Sequence, residues 1–408
     1  MEIPMATRTD SWSRFLTPTL ALLWLACIPA TALSRTLWTT NYGVDSSTCG
    51  YGSYPCRSIS QAMDNADAGD AIWVGAGRYG DLNGDGDFDD PGDEHASVIN
   101  GEIGCVVCIT KALRVYSANG AEMTTIEVNA LTTGSIVSIS SSRVYFGALG
   151  HGFTLTGVKA NGLTIQLSRR YFSFSKPGEV IINVVDNIAL NDTVGFSVNG
   201  PEWCSIRCSV RPNLVGQILF STNQAIGNDV GFSVAANTYG GLGTIVLRDN
   251  LALGSGTGFL ITSGYKGDYF QLADGAFMAE LTHNTASHGK VGFVTALARV
   301  VQDNVASGNS QVGFMLVPGD NKDTAFRRNS AIGNAGPGAI VATLDRQPRR
   351  ALFRNNFFGN DRDRPSLSLS QLLEPLPPTS PPTNLNAGPS ARCGVLNVGL
   401  VPSNPYYA

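Results

Sequence analysis

The chain has 408 residues, of which 46 are glycine and 29 are asparagine, and its net charge is −4. A hydrophobic fraction of 43% excludes a disordered chain, and a charged fraction of 15% is far too small for a coiled coil. The slightly acidic balance provides no basic surface, so no nucleic-acid partner is expected. Glycine and asparagine favour tight turns, which indicates many short strands joined by corners.

Residues 1–34 have the pattern of a secretory signal peptide. Arg8 and Arg14 precede an apolar stretch that Pro18 and Pro29 interrupt, and its uninterrupted part is too short to span a bilayer. Small residues at 30–32 provide a cleavage site. We therefore expect a secreted protein, extracellular or periplasmic, without a membrane span. An uncleaved membrane anchor is the alternative.

The segment that follows has a characteristic order of turn and strand residues: Asn41 to Gly50, then Pro55 to Ala62, then Ala68 to Val74. This order resembles the opening of secreted bacterial right-handed parallel β-helix proteins of the pectin lyase-like superfamily. The resemblance implies that a short helix at about Ile59 to Ala66 plugs the first coil, and that the first strand follows Gly69-Asp70. It implies a fold but no particular reaction.

Seven cysteines follow the leader, and export permits disulfides. Cys49 with Cys56 and Cys204 with Cys208 each close a short loop, and we predict these two pairs. Cys105-Val106-Val107-Cys108 has the spacing of a redox or metal motif. Neither role is favoured, because no helix, second motif of this kind or paired histidine accompanies it.

An acidic segment between residues 81 and 94 has the composition of a calcium loop. Oxygen ligands recur at about every second residue, with Gly86 in the sixth position, as hard Ca²⁺ requires. Position twelve is Gly92 rather than glutamate, so a later acidic residue would have to replace it. A solvated acidic loop is the alternative to this structural Ca²⁺ site. The candidate ligands are Asp81, Asn83, Asp85, Asp87, Asp89, Asp93 and Glu94.

Short alternating apolar segments then indicate the strands of early coils. They are Ala71–Val74, Cys105–Ile109, Leu113–Tyr116, Thr125–Val128, Ile136–Ile139, Phe153–Leu155, Leu163–Leu167 and Val180–Val184.

A repeat occupies the second half of the chain. Each copy contains a short apolar strand, an asparagine and, in the first six copies, an alanine two residues later. In these six copies a glycine, usually in Gly-Phe, follows the asparagine after eight or nine residues. The asparagines, separated by 36, 27, 34, 20, 25 and 27 residues, are Asn187, Asn223, Asn250, Asn284, Asn304, Asn329 and Asn356.

Such a short repeat cannot bury its own apolar side, whereas stacked copies can, so the pattern predicts a solenoid. The repeats are too short for propeller blades and lack the leucine-rich pattern. An all-β, right-handed parallel β-helix fits, with one coil per repeat, the asparagines stacked at a corner in left-handed φ, and the alanines pointing inward. The repeats also resemble the coils of the pectin lyase-like superfamily.

The predicted organisation is a signal peptide at 1–34, a β-helix at 35–361, a linker at 362–390 and a C-terminal coil or cap at 391–408. The linker is assigned from its composition, since seven prolines lie between Pro365 and Pro389.

The residue before each repeated asparagine forms a column of its own. Four members that should lie in consecutive coils, about 4.8 Å apart, carry groups suited to acid–base chemistry on a sugar chain. They are Asp249, His283, Asp303 and Arg328. Arg248, Arg327 and Arg354 lie in the next column. The two aspartates, two coils apart, would be about 9–10 Å apart, at the limit for an inverting glycosidase. Alternatively, the charges simply alternate on a solvated surface.

Two long intervals, with loops at Asn199–Gly216 and Ser263–Gly275, carry aromatic residues that either wall a groove or only decorate the surface. Gly150-His151-Gly152 matches a polygalacturonase motif, but the other residues of that motif are missing.

The sequence therefore predicts a secreted β-helix protein that binds extracellular or cell-surface polysaccharide. The alternatives are a polysaccharide lyase or inverting glycoside hydrolase acting on an acidic glycan, and a structural surface adhesin.

Overall fold

Three long sheets dominate the computed structural model of the protein. It describes residues 34–99, 102–129, 134–157, 159–167, 178–199, 214–235, 242–262, 278–295, 298–316, 325–343, 355–360 and 397–399. The chain divides into two units, Met1–Ser34 and Arg35–Ala408, and all three sheets belong to the second. No helix in the described ranges is long and apolar enough to cross a membrane.

Each sheet collects one strand from every turn of the chain. Sheet 1 contains, in spatial order, β1 (Thr36–Thr39), β2 (Ala71–Val74), β6 (Arg114–Ser117), β9 (Val144–Phe146), β12 (Gly178–Val185), β15 (Leu214–Ser221), β18 (Leu242–Arg248), β21 (Met278–Thr282), β24 (Ala298–Gln302) and β27 (Ala325–Arg327). Sheet 2 contains β3 (Gly77–Gly80), β7 (Thr124–Val128), β10 (Thr154–Gly157), β13 (Ile188–Leu190), β16 (Gln224–Ile226), β19 (Leu251–Leu253), β22 (Thr285–Ser287), β25 (Val305–Ser307), β28 (Ser330–Ile332) and β30 (Asn356–Phe358). Sheet 3 contains β4 (Ser97–Ile99), β5 (Glu102–Ile109), β8 (Ser135–Ile139), β11 (Asn161–Gln166), β14 (Val194–Asn199), β17 (Val230–Ala235), β20 (Thr257–Thr262), β23 (Val291–Thr295), β26 (Val312–Leu316), β29 (Ala339–Thr343) and β31 (Asn397–Gly399).

The order of these strands defines a right-handed parallel β-helix. The chain passes repeatedly through sheets 1, 2 and 3, and the described strand pairs are parallel apart from β4 with β5. The predicted fold is confirmed. The 34-residue interval contains no extra coil, because Leu251 of β19 pairs directly with Thr285 of β22.

The helix α1 (Ile59–Asn65) lies where the sequence predicts it and closes the first coil. Ser58 caps its N-terminus by accepting a hydrogen bond from the Gln61 N–H at 3.1 Å, and Ile59, Ala62 and Met63 are buried. One expectation is corrected: the strand β1 precedes Gly69-Asp70 and pairs with β2. It forms because its residues alternate, with Leu37 buried beneath the sheet and Trp38 partly exposed.

Small and aromatic residues fill the interior in separate columns. The alanines after the repeated asparagines are buried, as predicted: Ala189, Ala225, Ala252, Ala286, Ala306 and Ala331. Phenylalanines of the Gly-Phe pairs stack from coil to coil, with centroids 4.7 Å apart for Phe232–Phe259 and Phe259–Phe293. Glycine precedes them because there is no room for a side chain. A Cβ at Gly258 would lie 2.6 Å from the Gly292 carbonyl oxygen.

The repeated asparagines form a buried ladder at the first corner, between sheets 1 and 2. Asn250 Oδ1 accepts hydrogen bonds from the backbone N–H and Nδ2 of Asn223, at 3.0 and 3.1 Å. Its own Nδ2 donates to the Phe220 carbonyl oxygen and to Asn284 Oδ1, both at 3.0 Å. The predicted stack is confirmed from Asn187 to Asn329.

Two details of this ladder differ from the prediction. The seventh member is Asn355 rather than Asn356, because Asn355 Oδ1 accepts from the Asn329 backbone N–H at 2.8 Å. The last interval is therefore 26 residues. The left-handed φ falls on the residue before each asparagine, for example Asp303 at 57°, so the ladder asparagine itself is free to stack.

A second ladder lies at the second corner, between sheets 2 and 3. Asn334 Oδ1 accepts from the backbone N–H and Nδ2 of Asn309, and Asn360 binds Asn334 in the same way. Asn228 accepts at 2.7 Å from the backbone N–H of Asp192, which occupies the ladder position in an earlier coil. In some coils a residue other than asparagine occupies this position, for example Asp192. The second ladder is therefore not evident when the repeats of the sequence are aligned with one another.

Two disulfides lie among the described cysteines. Cys49–Cys56 was predicted, whereas the bond between Cys105 and Cys108 was not. The predicted Cys204–Cys208 pair lies outside the described residues.

Candidate functional site

The four charged-row residues, Asp249, His283, Asp303 and Arg328, project from the first corner. Their φ values are 56°, 58°, 57° and 55°, all left-handed. The pairing of the residues before them, Arg248 with Thr282, Gln302 and Arg327, places the four in consecutive coils, as predicted. Successive members are therefore separated by one strand spacing, about 4.8 Å at the backbone.

Left-handed φ costs least free energy for glycine, and the second corner uses mainly this residue. There the equivalent residue is glycine in most of the described coils: Asn191, Gly227, Gly254, His288, Gly308, Gly333 and Gly359. At the first corner the left-handed residues of the repeat coils are Asp186, Thr222, Asp249, His283, Asp303 and Arg328, with no glycine among these described positions. Aspartate and histidine are among the residues that adopt this conformation most readily after glycine, whereas backbone preference does not explain Thr222 and Arg328.

Three members of the charged row form one connected group. Arg328 binds Asp303 through two parallel hydrogen bonds, Nε to Oδ1 and Nη2 to Oδ2, both 2.7 Å long. His283 Nε2 lies 3.7 Å from Asp303 Oδ2. The Gln302 amide also donates to Asp303 at 2.8 Å. These contacts, and the hydrogen bonds from Arg328 first of all, lower the pKa of Asp303 to about 2.

Asp249 stands apart from this group. Its carboxylate lies 3.3 Å from Nε of Arg248, the preceding residue on the same coil. Arg327 donates at 2.6 Å to Gln302 within the neighbouring column, and Gln302 in turn donates to Asp303, which connects that column to the charged row. Arg354, the third arginine predicted for that column, lies outside the described residues.

Sheet 1 carries a group of outward aromatic residues in its first three coils. Leu37, Ile72 and Val115 are in register and buried, so the residue after each faces outward. Those next residues are Trp38, Trp73 and Tyr116, which we call the aromatic strip. The register of the buried residues continues through Phe146, Val184 and Phe220 to Leu247, the residue before Arg248. Two of the positions that follow these residues, Gly147 and Ser221, are buried. Sequence reasoning missed this strip because its members come from distant segments that share no motif.

His151, from the discarded Gly-His-Gly motif, belongs to the surroundings of the aromatic strip. Its ring lies edge-on to Trp73, with the centroids 5.1 Å apart. His151 Nδ1 is 2.9 Å from the carbonyl oxygen of Ser117 and must donate to it, so the neutral ring presents Nε2 as an acceptor.

The predicted calcium ligands of the acidic loop lie in different environments. Carboxylate oxygens of Asp85, Asp87 and Asp90 lie within 4.8 Å of one another and are exposed. Asn83 donates to Asp85 at 2.8 Å and also to Asp90, which was not among the predicted ligands. Asp89 contributes no oxygen to this group; its backbone N–H donates to Asp87 at 3.1 Å.

The remaining predicted ligands have other partners. Asp81 is buried and accepts from the backbone N–H groups of Gly84 and Gly86 at 2.6 and 3.0 Å, which shapes the loop itself. Asp93 is also buried and accepts from Leu82 at 2.9 Å. The oxygens of Glu94 accept from the backbone N–H groups of Ile59 and Ser60 at the start of α1, away from the exposed carboxylates of the loop. Burial raises the pKa of Glu94.

Both predicted aromatic loops leave the β-helix at the end of a sheet 3 strand, after Asn199 of β14 and Thr262 of β20. The aromatic residues predicted to wall a groove, Trp203, Tyr265, Tyr269 and Phe270, lie outside the described residues.

Comparison with known proteins supplies no family for this chain. No family model matches it, and no curated protein matches it. A solved structure titled "Rhamnogalacturonan lyase" aligns over 80% of this chain and 87% of its own, with 12% sequence identity and a TM-score of 0.41. The three parallel sheets by themselves define the fold.

Proposed function

We propose that this protein is a secreted β-helix protein that binds a linear polysaccharide along the outward edge of sheet 1. The observation that supports the proposal most is the choice of residues at the first corner. It places charged side chains at left-handed positions where glycine would cost less, and it repeats them coil after coil. Residues kept in a strained conformation at a surface point to a function of their side chains.

The regular spacing of the charged row suits a regular ligand. A polymer lying along the β-helix axis meets a new side chain about every 4.8 Å, a length comparable to one sugar in an extended chain. Arg328 and His283 are about half exposed, with side-chain exposures of 49% and 58%, and they offer hydrogen-bond donors. Asp303 holds Arg328 in place from the less exposed side.

The electrostatics favour binding over catalysis. An inverting hydrolase needs one carboxylic acid that is protonated near neutral pH, and a lyase needs a competent base. Asp303, with a pKa of about 2, is a weak base and is ionised at neutral pH. Asp249 lies in an ion pair with Arg248. The enzyme alternative predicts reducing ends or unsaturated products from a polysaccharide panel, whereas we expect binding without turnover.

Glycine substitutions at the corner test the proposal, because glycine relieves the backbone and removes the side chain. His283→Gly and Arg328→Gly should keep or slightly raise the free energy of unfolding, by up to about 1 kcal/mol. They should weaken polysaccharide binding about tenfold or more, measured by affinity electrophoresis on soluble polysaccharides. His288→Gly is the matched control, since His288 is the left-handed residue of the second corner in the same coil as His283.

Two outcomes would contradict the proposal. If the wild-type protein binds no polysaccharide of the panel, a structural adhesin is the better interpretation. If His283→Gly and Arg328→Gly bind like His288→Gly, the charged row takes no part in binding.

A further inference from the structure

The aromatic strip differs from the aromatic ladder inside the β-helix. Buried Phe232 and Phe259 lie nearly parallel, at 4°, with centroids 4.7 Å apart. Trp38 and Trp73 are inclined by 25° with centroids 6.2 Å apart, although their strands are adjacent. That distance exceeds the strand spacing of about 4.8 Å, so the two indoles are offset and do not lie directly above each other as the phenylalanines do.

The strip is also exposed to solvent, whereas the phenylalanine ladder of the core is buried. Trp38 is 37% exposed, and Trp73 and Tyr116 are partly exposed, with ring centroids 5.3 Å apart and planes at 50°. The three rings thus turn relative to one another along the first three coils of sheet 1. Contiguous exposed apolar surface commonly marks a site of interaction with a ligand or a partner.

Exposed polar and basic side chains lie beside the strip. On the same side of these three strands, as the alternation places them, Thr36 and Arg114 are exposed, whereas Ala71 is buried. His151 adds an acceptor beside Trp73. Aromatic faces carry partial negative charge and attract the C–H groups of a pyranose face, while the flanking donors and acceptors suit its equatorial hydroxyls.

We propose that the aromatic strip is a stacking subsite for neutral, equatorially linked pyranose rings of the same polysaccharide that contacts the charged row. This inference rests on the proposed function. Its support is register: the buried residue before each member of the strip and the buried Leu247 before Arg248 lie in one row of sheet 1, so an extended chain that runs along the β-helix axis on this side of the sheet reaches both.

The experiment measures binding of β-1,4-linked oligosaccharides of glucose, xylose and mannose, with oligogalacturonate as the acidic comparison. Isothermal titration and tryptophan fluorescence are recorded for the wild type and for Trp38→Ala and Trp73→Ala. Trp73→Phe is the conservative variant, because it keeps an aromatic ring. Phe358→Ala is the matched control, since Phe358 is a 54% exposed aromatic on sheet 2.

We expect a neutral oligosaccharide to bind the wild type and to shift its tryptophan emission. Each tryptophan-to-alanine change should weaken binding about tenfold, which corresponds to about 1.4 kcal/mol, with unchanged melting temperatures. Trp73→Phe should recover part of the affinity, and Phe358→Ala should bind normally.

Other results would overturn the inference in distinguishable ways. If the tryptophan variants bind every probe like the wild type while Arg328→Gly does not, the subsite is wrong and the proposed function stands. If the wild type binds none of the probes or polysaccharides, both fail. If the wild type sediments as a dimer that Trp73→Ala dissociates, the strip contacts a second copy of the chain instead.

Discussion

Single residues at the corners decide how the coils of this protein stack. The ladder asparagines satisfy buried backbone groups on both sides, and the residue before each absorbs the left-handed turn. Asp192 is the exception in the second ladder. It is 2% exposed and occupies a position that asparagine fills at Asn228, Asn309 and Asn334. A protonated aspartate has nearly the shape of asparagine, whereas a buried carboxylate is costly.

Asp192 should therefore make the stability depend on pH. Burial raises its pKa to about 8, well above the value of about 3.9 in an unfolded chain. Because the folded-state pKa is the higher one, this contribution to stability is complete below about pH 4 and is lost as the pH rises through about 8. The substitution Asp192→Asn removes the titrating group, and the variant should therefore lack this loss.

Urea unfolding at about pH 5 and about pH 9 measures the effect. Between these two values, the free energy of unfolding should fall by on the order of a few kcal/mol more in the wild type than in Asp192→Asn. The exposed Asp229→Asn is the matched control and should follow the wild type. Equal pH dependence in wild type and Asp192→Asn would show that Asp192 is not the group responsible.

At the scale of elements, the sequence predicts best what repeats locally. Strands, the Asn ladder and α1 follow from short patterns, and β2 begins and ends where predicted. Asn355 and Asn356 both fit the repeat pattern, so the sequence alone does not identify the last ladder member. The structure does, because Ala331 pairs with Phe357, and the ladder asparagine precedes this position by two residues. The strip of Trp38, Trp73 and Tyr116 depends on register between distant strands, which no local pattern contains.

The acidic loop is an element whose ligand chemistry stays a prediction. The clustered carboxylates of Asp85, Asp87 and Asp90 repel one another, so calcium should raise the melting temperature and EDTA should lower it. Asp85→Ala should remove most of this response, measured by differential scanning calorimetry. Asp229→Ala, an exposed aspartate outside the loop, should retain it. A melting temperature that is the same with calcium and with EDTA would leave a solvated acidic loop.

At the scale of the whole molecule, the β-helix converts sequence repetition into a linear surface. Every coil adds one strand to sheet 1, so the aromatic strip and the charged row lie along the same side of the β-helix although they are far apart in sequence. The charged row lies at the first corner, between sheets 1 and 2, whereas the predicted aromatic loops begin at the ends of sheet 3 strands. A ligand that is itself an extended repeating chain is the natural match to such a surface.

Hydrogen–deuterium exchange with and without bound polysaccharide tests this central claim most directly. Ligand should slow exchange in peptides that contain the ends of the sheet 1 strands and the following first-corner residues, such as Thr282-His283 and Gln302-Asp303. Peptides from the second corner, such as the one containing His288, should exchange at unchanged rates. Protection confined to sheet 2 or sheet 3, with the sheet 1 edge unaffected, would contradict the account.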